Sequence, residues 1–126
     1  MPGLRSVVIA DDDPMLRQIF GDWLRLLRGF DVVAEATSGD EAVEVVQQHM
    51  PDLALLDRNM PPGDGVDAAR ALKASGFGGV VVVMSGDLDA EDAGLPDGCH
   101  FISKGDGPAA LGDLLDELGF ADGPSA

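Results

Sequence analysis

The stretch Val7-Val8-Ile9-Ala10-Asp11-Asp12-Asp13-Pro14 decides the fold, because an unbroken apolar run stops abruptly at three aspartates and a proline. Such a run reads as a strand buried on both faces, the kind found inside parallel sheets. Asp13-Pro14 reads as a helix N-cap followed by proline at the first helical position, where its missing N–H leaves no bond unmade. Behind them Met15, Leu16, Ile19, Phe20, Trp23, Leu24 and Leu27 recur at three- and four-residue steps, the pattern of a helix with one apolar side. Gly29 closes that helix.

The same cycle repeats downstream. A second strand is expected over Asp31 to Ala36, and Ser38 caps a helix carrying Ala42, Val43, Val46 and Met50. Leu53-Ala54-Leu55-Leu56 is a third buried strand, ending at Asp57. The loop Met60-Pro61-Pro62-Gly63-Asp64-Gly65 leads into a helix over Val66 to Ala74. Val80 to Met84 and Cys99 to Ser103 are the last two strands, and Pro108 to Leu118 is the final helix. Between those strands Asp87 to Gly94 has almost no apolar stripe, so the fourth helix is expected to be short, one or two turns. Alternating strands and helices with continuous apolar strands imply an α/β fold: one doubly wound, five-stranded parallel sheet in the order 2-1-3-4-5, with helices on both faces. Residues 1–120 are expected to form one domain and 121–126 a disordered tail or linker remnant.

Bulk composition narrows the function classes. The 126 residues carry 23 acidic against 8 basic side chains, a formal charge of −15. That field repels phosphate backbones, so direct nucleic-acid binding by this chain is not expected. The single cysteine, Cys99, excludes an internal disulfide framework. No apolar run reaches the roughly 20 residues of a membrane span, and Met1 to Ser6 lack the apolar core of a secretory leader. A cytoplasmic location is expected.

The topology also makes a statement about polar residues. In a 2-1-3-4-5 sheet, strands 1 and 3 are neighbours and the ligand crevice opens at their carboxyl ends. Asp11 and Asp12 follow strand 1, Asp57 ends strand 3, Ser85 ends strand 4 and Lys104 ends strand 5, so all five face one crevice. Crowded carboxylates raise one another's pKa unless a cation intervenes. Magnesium suits a site of this kind, since it takes one or two carboxylates, keeps waters and accepts a phosphate oxygen. A carboxylate can also attack phosphorus and become an aspartyl phosphate, with a cation and a lysine neutralising the transferring group.

These residues resemble a known family. The run Val7 to Pro14, the run Pro51-Asp52-Leu53-Ala54-Leu55-Leu56-Asp57-Arg58-Asn59-Met60-Pro61, and Gly63-Asp64-Gly65 are similar to the matching segments of response-regulator receiver domains of two-component systems. The likeness covers about residues 5 to 118. It implies that Asp57 is the phosphoacceptor, that Asp11, Asp12, Asp57 and the backbone carbonyl of Asn59 hold Mg2+, and that Lys104 pairs with a phosphoryl oxygen. It makes Ser85 and Phe101 the switch pair, one meeting the phosphoryl group and the other turning inward. It further implies a histidine kinase or histidine phosphotransfer protein as donor, a conformational change that controls a missing or separate output domain, and a signalling rather than enzymatic role. Small polar residues at Asn59 and Asp87 imply a short-lived phosphorylated state.

Two departures stand out. Lys104 is followed by Gly105, not the family's usual proline, and only 18 residues separate Ser85 from Lys104, fewer than is usual. The stunted fourth helix leaves open an interaction module that signals without phosphorylation. A phosphatase similar to the haloacid-dehalogenase group would use Asp11 and Asp13, but leaves Asp57 without a task. The chain is read either as a single-domain regulator or as a piece of a longer one.

Overall fold

Strand β1 (Arg5–Ala10) is the hinge of the architecture, with β2 (Phe30–Ala36) on one side and β3 (Leu53–Asp57) on the other. The sheet continues through β4 (Val80–Ser85) to β5 (Cys99–Ser103), giving the order β2-β1-β3-β4-β5. All four pairings are parallel. The computed structural model describes residues 5–60, 64–86 and 95–119. The expected short fourth helix, over 87–94, and the tail, over 121–126, lie outside the described residues.

Period-two alternation splits the strands between two cores. Val8, Ala10, Ala54, Leu56, Val81 and Val83 point to one face, where α2 (Gly39–His49) and α3 (Gly65–Ala74) cover them with Ala42, Val46, Ala69 and Leu72. Val7, Ile9, Leu53, Leu55, Val82 and Met84 point to the other. There α1 (Pro14–Arg28) and α4 (Gly107–Glu117) contribute Phe20, Leu24, Leu111 and Leu115. The middle strands are fully buried because both faces are roofed, which explains their lack of polar alternation.

The caps expected at Asp13 and Ser38 are present, and Asp64 supplies one that the sequence reading left in the loop. The Asp13 carboxylate accepts from the Met15 N–H at 2.9 Å, Pro14 opens α1, and Gly29 ends it at φ 70°. Ser38 accepts from the Glu41 N–H at 3.1 Å, and Asp64 from the Asp67 N–H at 2.8 Å. Such bonds satisfy donors that a helix start leaves orphaned.

One expectation needs correction. Met15, Ile19 and Leu27, assigned to the packed side of α1, are exposed. A single sheet face covers only the arc holding Phe20 and Leu24, and the apolar arc of α1 is wider than that. Trp23 packs against the core on this face and also meets α4: its ring lies against Gly112, where an added Cβ would come within 3.2 Å, and the Arg28 guanidinium sits 5.9 Å from its centroid. Arg28 also donates to Asp116 at 2.8 Å, tying the two helices. The segment after β5 is a 3-10 turn over Lys104–Asp106 that runs straight into α4. The Gly105 N–H donates to the Ser103 hydroxyl at 3.2 Å, a bond that a proline at this position could not make.

Candidate functional site

Register brings the polar residues together. Ala10 pairs with Leu56, so Asp11 and Asp57 are the next residues on adjacent strands. Asp57 pairs with Met84, which places Ser85 one step beyond, and Ser85 pairs with Ser103, which places Lys104 one step beyond that. Four neighbouring strands thus deliver polar residues from their carboxyl ends to one edge of the sheet.

One carboxylate oxygen each from Asp11, Asp12 and Asp57 lies within 4.8 Å of the others. Asp11 and Asp57 are buried, whereas Asp12 is exposed at the rim. The Lys104 ammonium bridges the two buried acids, 2.8 Å from Asp11 Oδ2 and 3.1 Å from Asp57 Oδ2. Asp11 has the Lys104 ion pair alone at Oδ2 and is hydrogen-bonded at its other polar atoms. Its N–H donates to the Ala36 carbonyl at 3.0 Å, and its own carbonyl accepts from Arg17 at 2.7 Å. Its Oδ1 accepts from the Asp13 N–H at 2.9 Å. Asp57 Oδ1 accepts from the Asn59 N–H at 3.3 Å.

The Asp57 carboxyl is pushed up from 3.8 to about 6, by burial first with the charge of Asp11 adding to it, against the pull of the Lys104 bond. For Lys104, burial pulls downward but the contacts to Asp11 and Asp57 outweigh it, and the ammonium is held above its ordinary value. One ammonium does not balance three acids. An oxygen-only donor set with excess negative charge fits a hard divalent cation, and Asp11, Asp12 and Asp57 supply a set of that chemistry.

Glycine is required next to this cluster. A Cβ on Gly65 would sit 2.5 Å from the Asp57 carbonyl oxygen and 2.9 Å from its carbon, a backbone contact that no side chain can yield to. The Gly65 N–H donates to the Arg58 carbonyl at 3.1 Å, and Asn59 bridges Asp64, so the loop after β3 folds back on the strand end.

The structure therefore gathers Asp11, Asp12, Asp57 and Lys104 into one cluster, with Ser85 buried at the same edge and Asn59 exposed beside it. Phe101 stands apart, partly buried on β5 against the α2/α3 core. Asp87 lies outside the described residues. Sequence reading missed Arg17, whose only signal was a cation in the first turn of an amphipathic helix. It also missed its partner Glu35, 3.0 Å away on β2.

A doubly wound parallel sheet with acids and a lysine at the point where its winding reverses defines the CheY-like class of flavodoxin-like folds. Comparison with known proteins narrows the class. The response regulator receiver domain family model matches residues 7–111. The chain is 36 % identical to the chemotaxis protein CheY of Bacillus subtilis over 104 residues, covering 78 % of this chain and 83 % of that protein. It is 39 % identical to the transcriptional regulatory protein PdtaR of Mycobacterium tuberculosis over 122 residues, covering 93 % of this chain and 56 % of that protein. The signal receiver domain of a response regulator from Mycobacterium tuberculosis superposes with a TM-score of 0.81 at 30 % identity, over 93 % of this chain and 97 % of that one. This chain belongs to the response regulator receiver domain family, whose members act in two-component signal transduction. It spans little more than half the length of the mycobacterial regulator and 38 % of a C4-dicarboxylate response regulator from Priestia megaterium.

Proposed function

We propose that this domain takes a phosphoryl group from a phosphohistidine on a histidine kinase or phosphotransfer protein onto Asp57. The observation that carries the reading is the single cluster of Asp11, Asp12, Asp57 and Lys104, with Asp57 touching the lysine at 3.1 Å. Above pH 6 Asp57 is ionised and nucleophilic. Its oxygen forms the new O–P bond as the N–P bond of the donor breaks, and the electron pair leaves on the imidazole. Lys104 stays near the transferring group and neutralises oxygen charge. Asp11, Asp12, Asp57 and the Asn59 carbonyl are the residues that would hold Mg2+, which when bound neutralises charge on the phosphoryl oxygens.

Ser85 is the hydroxyl that would meet the phosphoryl group, and Phe101 is the aromatic that would follow it inward. Phe101 is partly buried, so its side chain has neither a fully packed nor a fully solvated place to leave. The outcome is a changed surface and no released product, which makes the chain a signalling element in the cytoplasm rather than an enzyme. The relatives' greater length supports an output carried by further residues or by a separate protein.

Incubation with acetyl phosphate and Mg2+, followed by intact-mass measurement, tests this. One added phosphoryl group is expected for the wild type, none without Mg2+ and none for Asp57→Asn. An unchanged mass, with borohydride trapping also negative, would leave a receiver fold without phosphorylation.

A further inference from the structure

Asp11 and Asp12 are adjacent in the chain but held by different means. The Asp11 carboxylate has its own anchors, the Asp13 N–H at 2.9 Å and Lys104 at 2.8 Å. Asp12 is exposed, and among the described residues its carboxylate has no hydrogen bond or ion pair. Its direction into the cluster is therefore set by the backbone of the Asp11–Asp12 peptide. That peptide carries the Asp11 carbonyl, and Arg17 donates to this oxygen at 2.7 Å.

Arg17 is itself oriented. Its Nε donates to Glu35 on β2 at 3.0 Å, which leaves a terminal nitrogen aimed at Asp11, and its side chain is only 18 % exposed. A planar guanidinium held at two points is a stiff strut, which a single-point ammonium is not. The strut spans from β2 to the peptide between the two acids, with α1 as its base.

We propose that Arg17, braced by Glu35, is a positioning residue for cation binding: by fixing the Asp11 carbonyl it aims the otherwise unsupported Asp12 carboxylate. The inference rests on the reading of Asp11, Asp12 and Asp57 as a Mg2+ site. It has a sign that simple electrostatics does not share. A guanidinium beside three carboxylates opposes a second cation through charge alone, so removing it should tighten Mg2+ binding. Loss of a strut should weaken it, because partners behind the ligands set their geometry.

The test is a Mg2+ titration followed by amide chemical shifts in the wild type, Arg17→Met, Arg17→Lys and Glu35→Leu, with folding checked by thermal melts. Arg17→Met is expected to bind Mg2+ about tenfold more weakly. Arg17→Lys, which keeps the charge and one donor, should recover part of that loss, and Glu35→Leu should lose less than Arg17→Met. Equal or tighter binding by folded Arg17→Met overturns the proposal. If Arg17→Met does not fold, Glu35→Leu decides: binding equal to wild type overturns it. Wild type that fails to bind Mg2+, or Asp57→Asn that binds unchanged, overturns the metal-site reading and this inference with it.

Discussion

Replacing Asp57 with asparagine should make the metal-free protein more stable, and only above a particular pH. Asp57 is buried, and its carboxyl is pushed from 3.8 to about 6 by burial first, with the charge of Asp11 adding to it and Lys104 opposing it. Between those two values the folded chain binds more protons than the unfolded one, so stability falls as pH rises from about 4 to about 6. Above that the penalty is complete and constant. A displacement of that size corresponds to about 3 kcal/mol. Asparagine carries no charge to desolvate, and its amide oxygen can still accept from Lys104. A gain of about 1–3 kcal/mol is expected at pH 7.5 with EDTA, since the amide contact is weaker than the ion pair it replaces. For a domain of this size that raises Tm by about 4–10 °C. The assay is paired thermal melts of wild type and Asp57→Asn in EDTA at pH 4 and pH 7.5. A gain at 7.5 that shrinks towards zero at pH 4 is expected, and Mg2+ should stabilise the wild type more than the variant. Equal melting at both pH values, or a less stable variant at 7.5, would refute the claim that burial dominates over Lys104 at this carboxylate.

Two further substitutions probe the same edge. Lys104→Met removes the cation that bridges the Asp11 and Asp57 carboxylates, so metal-free stability should fall by about 2–4 kcal/mol, opposite in sign to Asp57→Asn. Urea unfolding in EDTA measures it, and a neutral result would mean the lysine contributes nothing to holding the acids together. Gly65→Ala forces a Cβ to within 2.5 Å of the Asp57 carbonyl oxygen and should cost about 2–3 kcal/mol and abolish phosphorylation, while Gly78→Ala, with open space around its Cβ, should stay within about 0.5 kcal/mol of wild type. Urea melts and intact-mass phosphorylation of both variants check the contrast.

Much of this edge is readable from sequence because burial leaves a one-dimensional trace. Val7 to Ala10 and Leu53 to Leu56 contain no polar residue, and in the structure both faces of those strands are covered. Once the strand order follows from alternation, Asp11 and Asp57 become neighbours without any further information. What could not be read are features that depend on distances across the fold. The width of the apolar arc on α1 does not say how much of it a sheet face can cover, so Met15, Ile19 and Leu27 were placed inside. Arg17 and Glu35 are 18 residues apart and meet only because β2 runs beside β1. The need for glycine at Gly65 comes from a backbone carbonyl eight residues earlier, which no local pattern records.

The opposite signs expected for Asp57→Asn and Lys104→Met express one physical arrangement. The sheet holds Asp57 beside Asp11 in a place where burial opposes the ionisation of Asp57, and a single ammonium only partly offsets it. The fold therefore stores an excess of negative charge at the point where a cation and a phosphoryl group would arrive. Relief of that excess can be supplied by a proton, by an amide in place of the acid, or by a divalent ion. Only the last leaves Asp57 ionised and free to attack phosphorus. A site that is destabilising when empty gains stability on binding, and this links occupancy to the rest of the sheet through Ser85 and Lys104 at the neighbouring strand ends. The same reasoning predicts that the acids cannot be improved for stability without loss of the proposed chemistry, which is the trade-off expected where function demands groups that folding alone would reject.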